Sequence, residues 1–226
     1  MSTPDITTHP IALVPERTLG SPPDPEALHG RLSLGWDCLP VAEPLVPADW
    51  AAYAAADPGR SYRHLVLVCS FRPETARGRG EFVSASLGLS LRTDEAGGPT
   101  PIARAIEPGE RTGPVASAAS TVSVGLTTGV LNVQAERRAN DPAEARREWL
   151  VRGYGASQAT PMWRFRRVGG HPLVGDHAVA ALVQTVPGRV NVADVLLAAE
   201  IEHRTLGIRR YRAELTPVLS AITLST

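Results

Sequence analysis

Two histidines and one aspartate lie within seven residues of each other, at His171, Asp176 and His177. Imidazole and carboxylate groups are ligands that zinc, iron and manganese accept, so this segment is the best metal candidate in the sequence. Its spacing matches no usual metal motif, and the glycines at 169, 170 and 175 predict a turn, where Asp and His are common. A metal-dependent or small-molecule enzyme that uses these residues is therefore an alternative to a non-catalytic role.

Glu200 and Glu202 are a second pair of possible catalytic groups. On a strand their side chains share one face, with Cα atoms about 6.5 Å apart, a spacing that suits an acid and a base. Ile201 between them would then point to the core. A solvent-exposed strand face accounts for this pattern without any chemistry, and we prefer that interpretation.

Cys69 is the remaining candidate nucleophile, with His64 five residues before it. An odd separation on a strand puts the two side chains on opposite faces, so they cannot act as nucleophile and base. Cys69 has the same phase as Leu65, Leu67 and Phe71, which predicts a core thiol. The sequence also lacks the Gly-x-Ser-x-Gly, His-Glu-x-x-His, Gly-x-Gly-x-x-Gly and EF-hand motifs. We therefore assign no catalytic residue.

Arginine replaces lysine throughout the chain: Lys and Arg together number 23, and all 23 are arginine. Together with the abundant Ala, Gly, Pro and Val, this bias is typical of a GC-rich genome. It excludes, within this chain, mechanisms that need a lysine amine. Schiff-base and pyridoxal-phosphate enzymes, Walker-type phosphate loops and protein kinases all belong to that group. No cofactor is predicted.

Clusters of arginine are the candidates for partner binding. The candidates on predicted loops and turns are five arginines and one neighbouring tyrosine: Arg72, Arg77, Arg79, Arg209, Arg210 and Tyr211. A further cluster follows Trp163, where a period of two predicts that Trp163 and Phe165 face the core and Arg164 and Arg166 face outward. Arginine beside exposed aromatic rings can hold phosphorylated ligands or single-stranded nucleic acid. Because the net charge is zero, cross-strand pairs with carboxylates are the simpler prediction, and nucleic-acid binding is a weaker alternative.

Strands account for most of the elements that must position these residues. Residues 83–91 alternate apolar Val83, Ala85, Leu87, Leu89 and Leu91 with polar or small residues, which predicts a strand with one buried face. We predict that the strand 62–71 precedes it in a long hairpin closed by 72–80. The other predicted strands are 121–135, 148–155, 162–168, 177–186, 190–203 and 209–224, with a turn at 187–189.

Only one helix and one extended segment interrupt this pattern. Asp49 can cap an alanine-rich helix over 50–56, which Asp57-Pro58-Gly59 would end. Residues 1–30 contain six prolines, so they form an extended arm rather than a helix or a central strand. Ile11, Leu13 and Val14 are the arm residues most able to pack, either against the arm's own domain or against a neighbouring molecule in an assembly.

The fold class predicted from these elements is mainly β: an antiparallel β-sandwich, jelly-roll-like, with one short helix and the proline-rich N-terminal arm. A flattened barrel is the second choice. We predict one domain over 31–226, which is long enough for a sizeable core. The alternative is two β lobes, 31–93 and 115–226, joined by a linker over 94–114.

The sequence favours a non-catalytic protein-binding or self-assembly module that acts in a homo-oligomer or a larger complex. The expected partner is a protein or a second copy of the chain, with no membrane partner, because the apolar stretch 178–183 is far shorter than a membrane helix. Cys38 and Cys69 are too few for a disulfide framework and are expected to be reduced. A cytoplasmic location is the matching expectation.

Overall fold

The computed structural model describes residues 6, 8–11, 31–41, 46–72, 79–112, 149–168, 173–204, 208–214 and 221–224, with the backbone alone at 8, 79–80, 202–204 and 208–214. In chain order the elements are β1 Thr8–Pro10, β2 Leu32–Pro40, α1 Ala48–Ala55, β3 Ser61–Phe71, β4 Arg79–Thr93, β5 Ile102–Glu107, β6 Glu110–Thr112, β7 Trp149–Tyr154, β8 Met162–Arg166, β9 Gly175–Thr185, β10 Asn191–Arg204, β11 Ile208–Glu214 and β12 Ala221–Thr223.

Within these residues the strands form two antiparallel sheets that do not close into a barrel. The first sheet has the order β1-β2-β3-β9-β5. The second has the order β11-β10-β4-β8-β7-β6, and β12 pairs with the other end of β10. The mainly β, antiparallel part of the predicted fold class is therefore confirmed.

Both sheets contribute their inner faces to one core. It includes Leu34, Leu65 and Val183 from the first sheet and Leu87, Trp163 and Leu197 from the second, all buried. Strands from 31–93 are hydrogen-bonded to strands after residue 149 in both sheets, through β3 with β9 and β4 with β10. The segment 94–114, considered above as a linker, contains β5 and β6, which belong to different sheets.

The predicted hairpin between 62–71 and 83–91 is wrong. Both strands exist, as β3 and β4, but β3 lies in the first sheet and β4 in the second. The connection that begins at 72 therefore crosses from one sheet to the other. The turn at 187–189 is confirmed, with Gly188 at φ 70°, and it too joins strands of different sheets.

The alternation predicted for β4 is correct over most of its length. Leu87, Leu89 and Leu91 are buried, but the residue that faces the core near the start of the strand is Phe82 and not Val83. The register explains the difference, because Glu200 pairs with Ser84 whereas Ile201 pairs with Phe82. One extra residue in β4 makes a β-bulge that shifts the buried phase.

Other elements differ from the predictions at their ends. The strand predicted over 209–224 is divided into β11 and β12, and β1, β2, β5 and β6 had no prediction. Helix α1 covers 48–55, with Pro47 at its N-cap position and no side-chain cap, so Asp49 lies in its first turn instead of capping it. The strand predicted over 121–135 lies outside the described residues.

The N-terminal segment contributes directly to the fold where it is described. Thr8–Pro10 pairs with β2 as an edge strand, a position where proline is tolerated, and the next residue, Ile11, is fully buried in the core. Leu13, Val14 and most of the predicted arm lie outside the described residues. No helix among the described residues is long and apolar enough to cross a membrane.

Candidate functional site

Strand β8 places arginine on the face of the second sheet that is turned away from the core. Trp163 and Phe165 are buried, while Arg164 is exposed and Arg166 is partly exposed. This alternation confirms the prediction made for the cluster after Trp163. We call this side of strands β7, β8, β4 and β10 the outer face.

An apolar row crosses the outer face at right angles to its strands. The register aligns Tyr154 with Met162, Met162 with Gly88, and Gly88 with Leu196. Leu196 is 61% exposed and Tyr154 is 38% exposed, so both ends of this row present large side chains to solvent. We call Tyr154, Met162, Gly88 and Leu196 the apolar row.

The next row along the strands is basic at its β7 and β8 end. Arg152 and Arg164 lie directly opposite each other on β7 and β8. Arg152 Nη2 lies 2.5 Å from Glu110 Oε2, and this hydrogen bond raises the pKa of Arg152 above its ordinary value. The Arg164 guanidinium lies 5.6 Å from the centre of the Tyr154 ring, a cation–π contact.

Trp149 organises a second arginine contact at the start of β7. The Arg166 guanidinium lies 4.4 Å from the Trp149 ring centre, and its Nε donates a hydrogen bond to the Trp149 carbonyl at 2.9 Å. The Arg152 guanidinium lies 5.3 Å from the centre of the Trp149 ring. These contacts fix the orientation of guanidinium groups that would otherwise be mobile on an exposed face.

The opposite half of the outer face carries carboxylates on β10. Glu200 accepts a hydrogen bond of 2.6 Å from Ser84 Oγ, and Asp194 accepts two from Arg92. Beyond Glu200 the register continues to Arg212 on β11. The outer face therefore carries arginines on β7 and β8 and carboxylates on β10. Between them β4 presents Ser84, Ser86, Gly88 and Ser90, with Arg92 beside Asp194 at its end.

Two of the predicted metal residues, Asp176 and His177, point away from each other. Asp176 and His177 lie on β9 and not in a turn, and neighbouring strand residues point to opposite faces. Asp176 accepts a hydrogen bond from Ser70 Oγ, whereas His177 points into the core between the rings of Phe71 and Phe165. His171 lies outside the described residues, among which there is no cluster of three metal-ligating side chains.

His177 is a buried neutral imidazole. Burial, and after it the positive charge of Arg111, lower its pKa to about 4, against opposing effects of the Val174 carbonyl and Asp176. Its Nε2 lies 3.2 Å from the Val174 carbonyl oxygen, so Nε2 carries the proton, while Nδ1 has no hydrogen-bond partner among the described residues. Within the same part of the chain, Nε and Nη2 of Arg111 are also buried without a partner.

The cysteines are poor nucleophiles in this environment. Both are free thiols, and burial raises the pKa of Cys69 to about 12. Burial likewise raises the pKa of Cys38 to about 11, with Arg63 partly opposing the shift. His64 lies on the other side of β3 from Cys69, with its ring against Trp50 of α1, as the strand phase predicted. A thiolate at either position is scarce near neutral pH.

The predicted partner-binding residues lie on elements of both sheets, and the register places Arg79 and Arg209 on either side of His203. Arg72 is exposed just after β3, and Arg79 begins β4, in the other sheet. Arg209, Arg210 and Tyr211 lie on β11 and not at a turn, opposite His203, Glu202 and Ile201 of β10. Arg77 lies outside the described residues. Ile11 is buried in the core of its own chain, which is one of the two placements expected for the arm.

Arg164 and Arg166 of the outer face were predicted from the sequence, whereas Arg152 and the apolar row were not. Leu196 occupies the outward phase of β10, between Val195 and Leu197 of the buried phase. The three consecutive apolar residues break the alternation there.

No protein-family model, no curated protein and no solved structure matches this chain.

Proposed function

We propose that this chain is a non-catalytic protein-binding or self-assembly module that uses the outer face of the second sheet as its contact surface. The observation that carries the proposal is the apolar row, with Leu196 61% exposed at its end. Exposed apolar side chains with a polar rim are typical of surfaces that bind another protein. The fixed arginines beside the row supply that rim and are a residue type enriched at contact surfaces.

The buried titratable groups support a non-catalytic role. Cys69 and Cys38 are protonated at neutral pH, and the His177 imidazole is neutral with one nitrogen already bound to a carbonyl. A nucleophile or a general base needs a pKa close to the working pH and access to a substrate. These groups have neither property.

The proposal also covers the architecture of the chain and its location. We propose that the two sheets form a β-sandwich of jelly-roll-like type with an extended N-terminal segment, supported by their shared core. We also propose that the module works in a homo-oligomer or a larger complex in the cytoplasm. Two free thiols are typical of a reducing compartment.

Nucleic-acid binding is less well supported by the outer face. Arg152 is already paired with Glu110, and Glu200 and Asp194 place negative charge on the same surface. A surface for single strands would need an excess of positive charge along the backbone path. We therefore expect no salt-dependent binding of single-stranded oligonucleotides.

The test replaces Leu196 with a charge and uses Val174 as a matched control. Leu196 is 61% exposed and Val174, just before β9 of the other sheet, is 60% exposed. We expect Leu196→Asp to weaken both self-association in sedimentation velocity and co-purification of partners from the native host. Val174→Asp should leave both unchanged. Equal behaviour of the two variants, with unchanged melting temperatures, would overturn the proposal.

A further inference from the structure

The outer face carries opposite charges at matching positions on either side of β4. Arg166 on β8 and Glu200 on β10 both pair with Ser84, so they occupy one row on opposite sides of the central strand. Two strand spacings, about 10 Å, separate their backbones, so neither side chain neutralises the other within one chain. Their separation leaves both charges available to a partner with the reverse arrangement.

The apolar row has the same layout. Met162 on β8 and Leu196 on β10 both pair with Gly88. Gly88 adds no side chain at the centre, and its neighbours on the outward phase of β4 are Ser84, Ser86 and Ser90. A central strand with small side chains lets a second sheet approach to the roughly 10 Å spacing of packed sheets.

We propose that the partner of this face is a second copy of the chain, related by a twofold axis that runs in the interface along β4. This inference rests on the proposed function and names its occupant. The rotation places β8 of each copy against β10 of the other. Arg166 then meets Glu200 of the second copy, and Met162 meets Leu196 of the second copy, each contact occurring twice.

Charge selects this axis over the other simple one. A twofold axis across the strands would place β8 on β8 and β10 on β10, so that the basic half of each copy would lie on the basic half of the other. Like charges brought together at an interface cost free energy, whereas opposite charges favour and orient association. The axis along β4 places the basic half of each copy on the acidic half of the other.

The size of the surface predicts a weak dimer. The three strands that overlap in this arrangement, β8, β4 and β10, lie about 4.8 Å apart and are about six residues long, which gives a patch of roughly 15 Å by 20 Å. This area is below the roughly 800 Å² that each partner contributes to a standard stable interface. We therefore expect a concentration-dependent monomer–dimer equilibrium, measurable by sedimentation velocity between about 1 µM and about 1 mM protein.

The test exchanges the two charges. Arg166→Glu and Glu200→Arg should each weaken the dimer at least about tenfold, because each creates two like-charge contacts. The double variant Arg166→Glu/Glu200→Arg should recover the dimer. The sharpest result comes from mixing the two single variants, since one then carries only Glu and the other only Arg at both positions. The mixture should form a heterodimer while neither variant dimerises alone.

The outcomes separate this inference from the proposed function. A dimer that survives both single variants, or a mixture with no preference for the heterodimer, overturns the twofold arrangement. A strictly monomeric chain whose Leu196→Asp variant still loses another protein partner also overturns it but leaves the proposed function standing. If Leu196→Asp and Val174→Asp behave alike, the proposed function fails as well. Thermal melting of each variant verifies that the fold is retained.

Discussion

Replacing His177 with phenylalanine should remove a specific acid sensitivity of the fold. The imidazole packs edge-on against Phe71 at 5.5 Å and Phe165 at 5.9 Å, so a phenyl ring can keep these contacts. The change removes the one group in this part of the core whose protonation is opposed by burial and by Arg111. The hydrogen bond to Val174 is lost too, but that cost does not depend on pH.

The size of the effect follows from the pKa of His177. In the folded chain the pKa is about 4, against an ordinary value of 6.5 for the unfolded chain. Between these values the unfolded chain binds a proton that the folded chain does not, so stability falls as the pH decreases through this window. The difference corresponds to a loss of about 3 kcal/mol, complete below about pH 4.

Urea denaturation across this pH range measures the effect. The free energy of unfolding of the natural chain should fall by about 3 kcal/mol more than that of His177→Phe between about pH 7 and about pH 4. Carboxylates and His64, whose pKa is also lowered by burial, affect both proteins equally and cancel in the comparison. Equal losses in the two proteins would show that His177 is not held neutral by its surroundings.

Two further substitutions test the packing. Gly153→Ala should lower the free energy of unfolding by about 1–3 kcal/mol, because a Cβ there would lie 2.7 Å from the Pro108 carbonyl oxygen. Gly88→Ala is its control in the same sheet, with the nearest atom at 3.9 Å, and should change urea denaturation at low protein concentration by less than about 0.5 kcal/mol. Asn191→Ala should cost about 2–3 kcal/mol, since the buried amide accepts from the Val186 N–H and donates to its carbonyl. A melting temperature unchanged by Asn191→Ala would contradict this role.

Local alternation predicted which residues of a strand face the core, but not which strands are neighbours. The buried phase of β4 and the inward Trp163 and Phe165 of β8 could be inferred from a period of two. The neighbours of β3 and β4 could not be inferred in this way. The two strands lie in different sheets, where β3 pairs with β9 and β4 pairs with β10, both far along the chain. The shift from Val83 to Phe82 is likewise fixed by the bulge opposite β10.

Strand β2 illustrates the limit of propensity. Its sequence contains Gly35, Asp37 and Pro40, residue types that are depleted in strands. It nevertheless pairs along its whole length with β3, whose apolar residues bury Leu32 and Leu34. Pairing with β3 outweighs the weak local preference of β2 for the strand conformation. A search for alternating apolar and polar residues therefore does not detect this strand.

The exposure of Leu196 shows how the candidate surface depends on two strands at once. Three consecutive apolar residues, Val195 to Leu197, are compatible with a strand buried on both faces, so the sequence of β10 alone does not indicate an exposed side chain. The neighbour decides, because Leu196 is paired with Gly88, which has no side chain to cover it. The next residue of the row, Met162, pairs with Gly88 from the other side, so it lies two strands away from Leu196. The apolar row is therefore a property of the Gly88 and Leu196 pair, and a larger side chain at Gly88 should weaken association even with Leu196 unchanged.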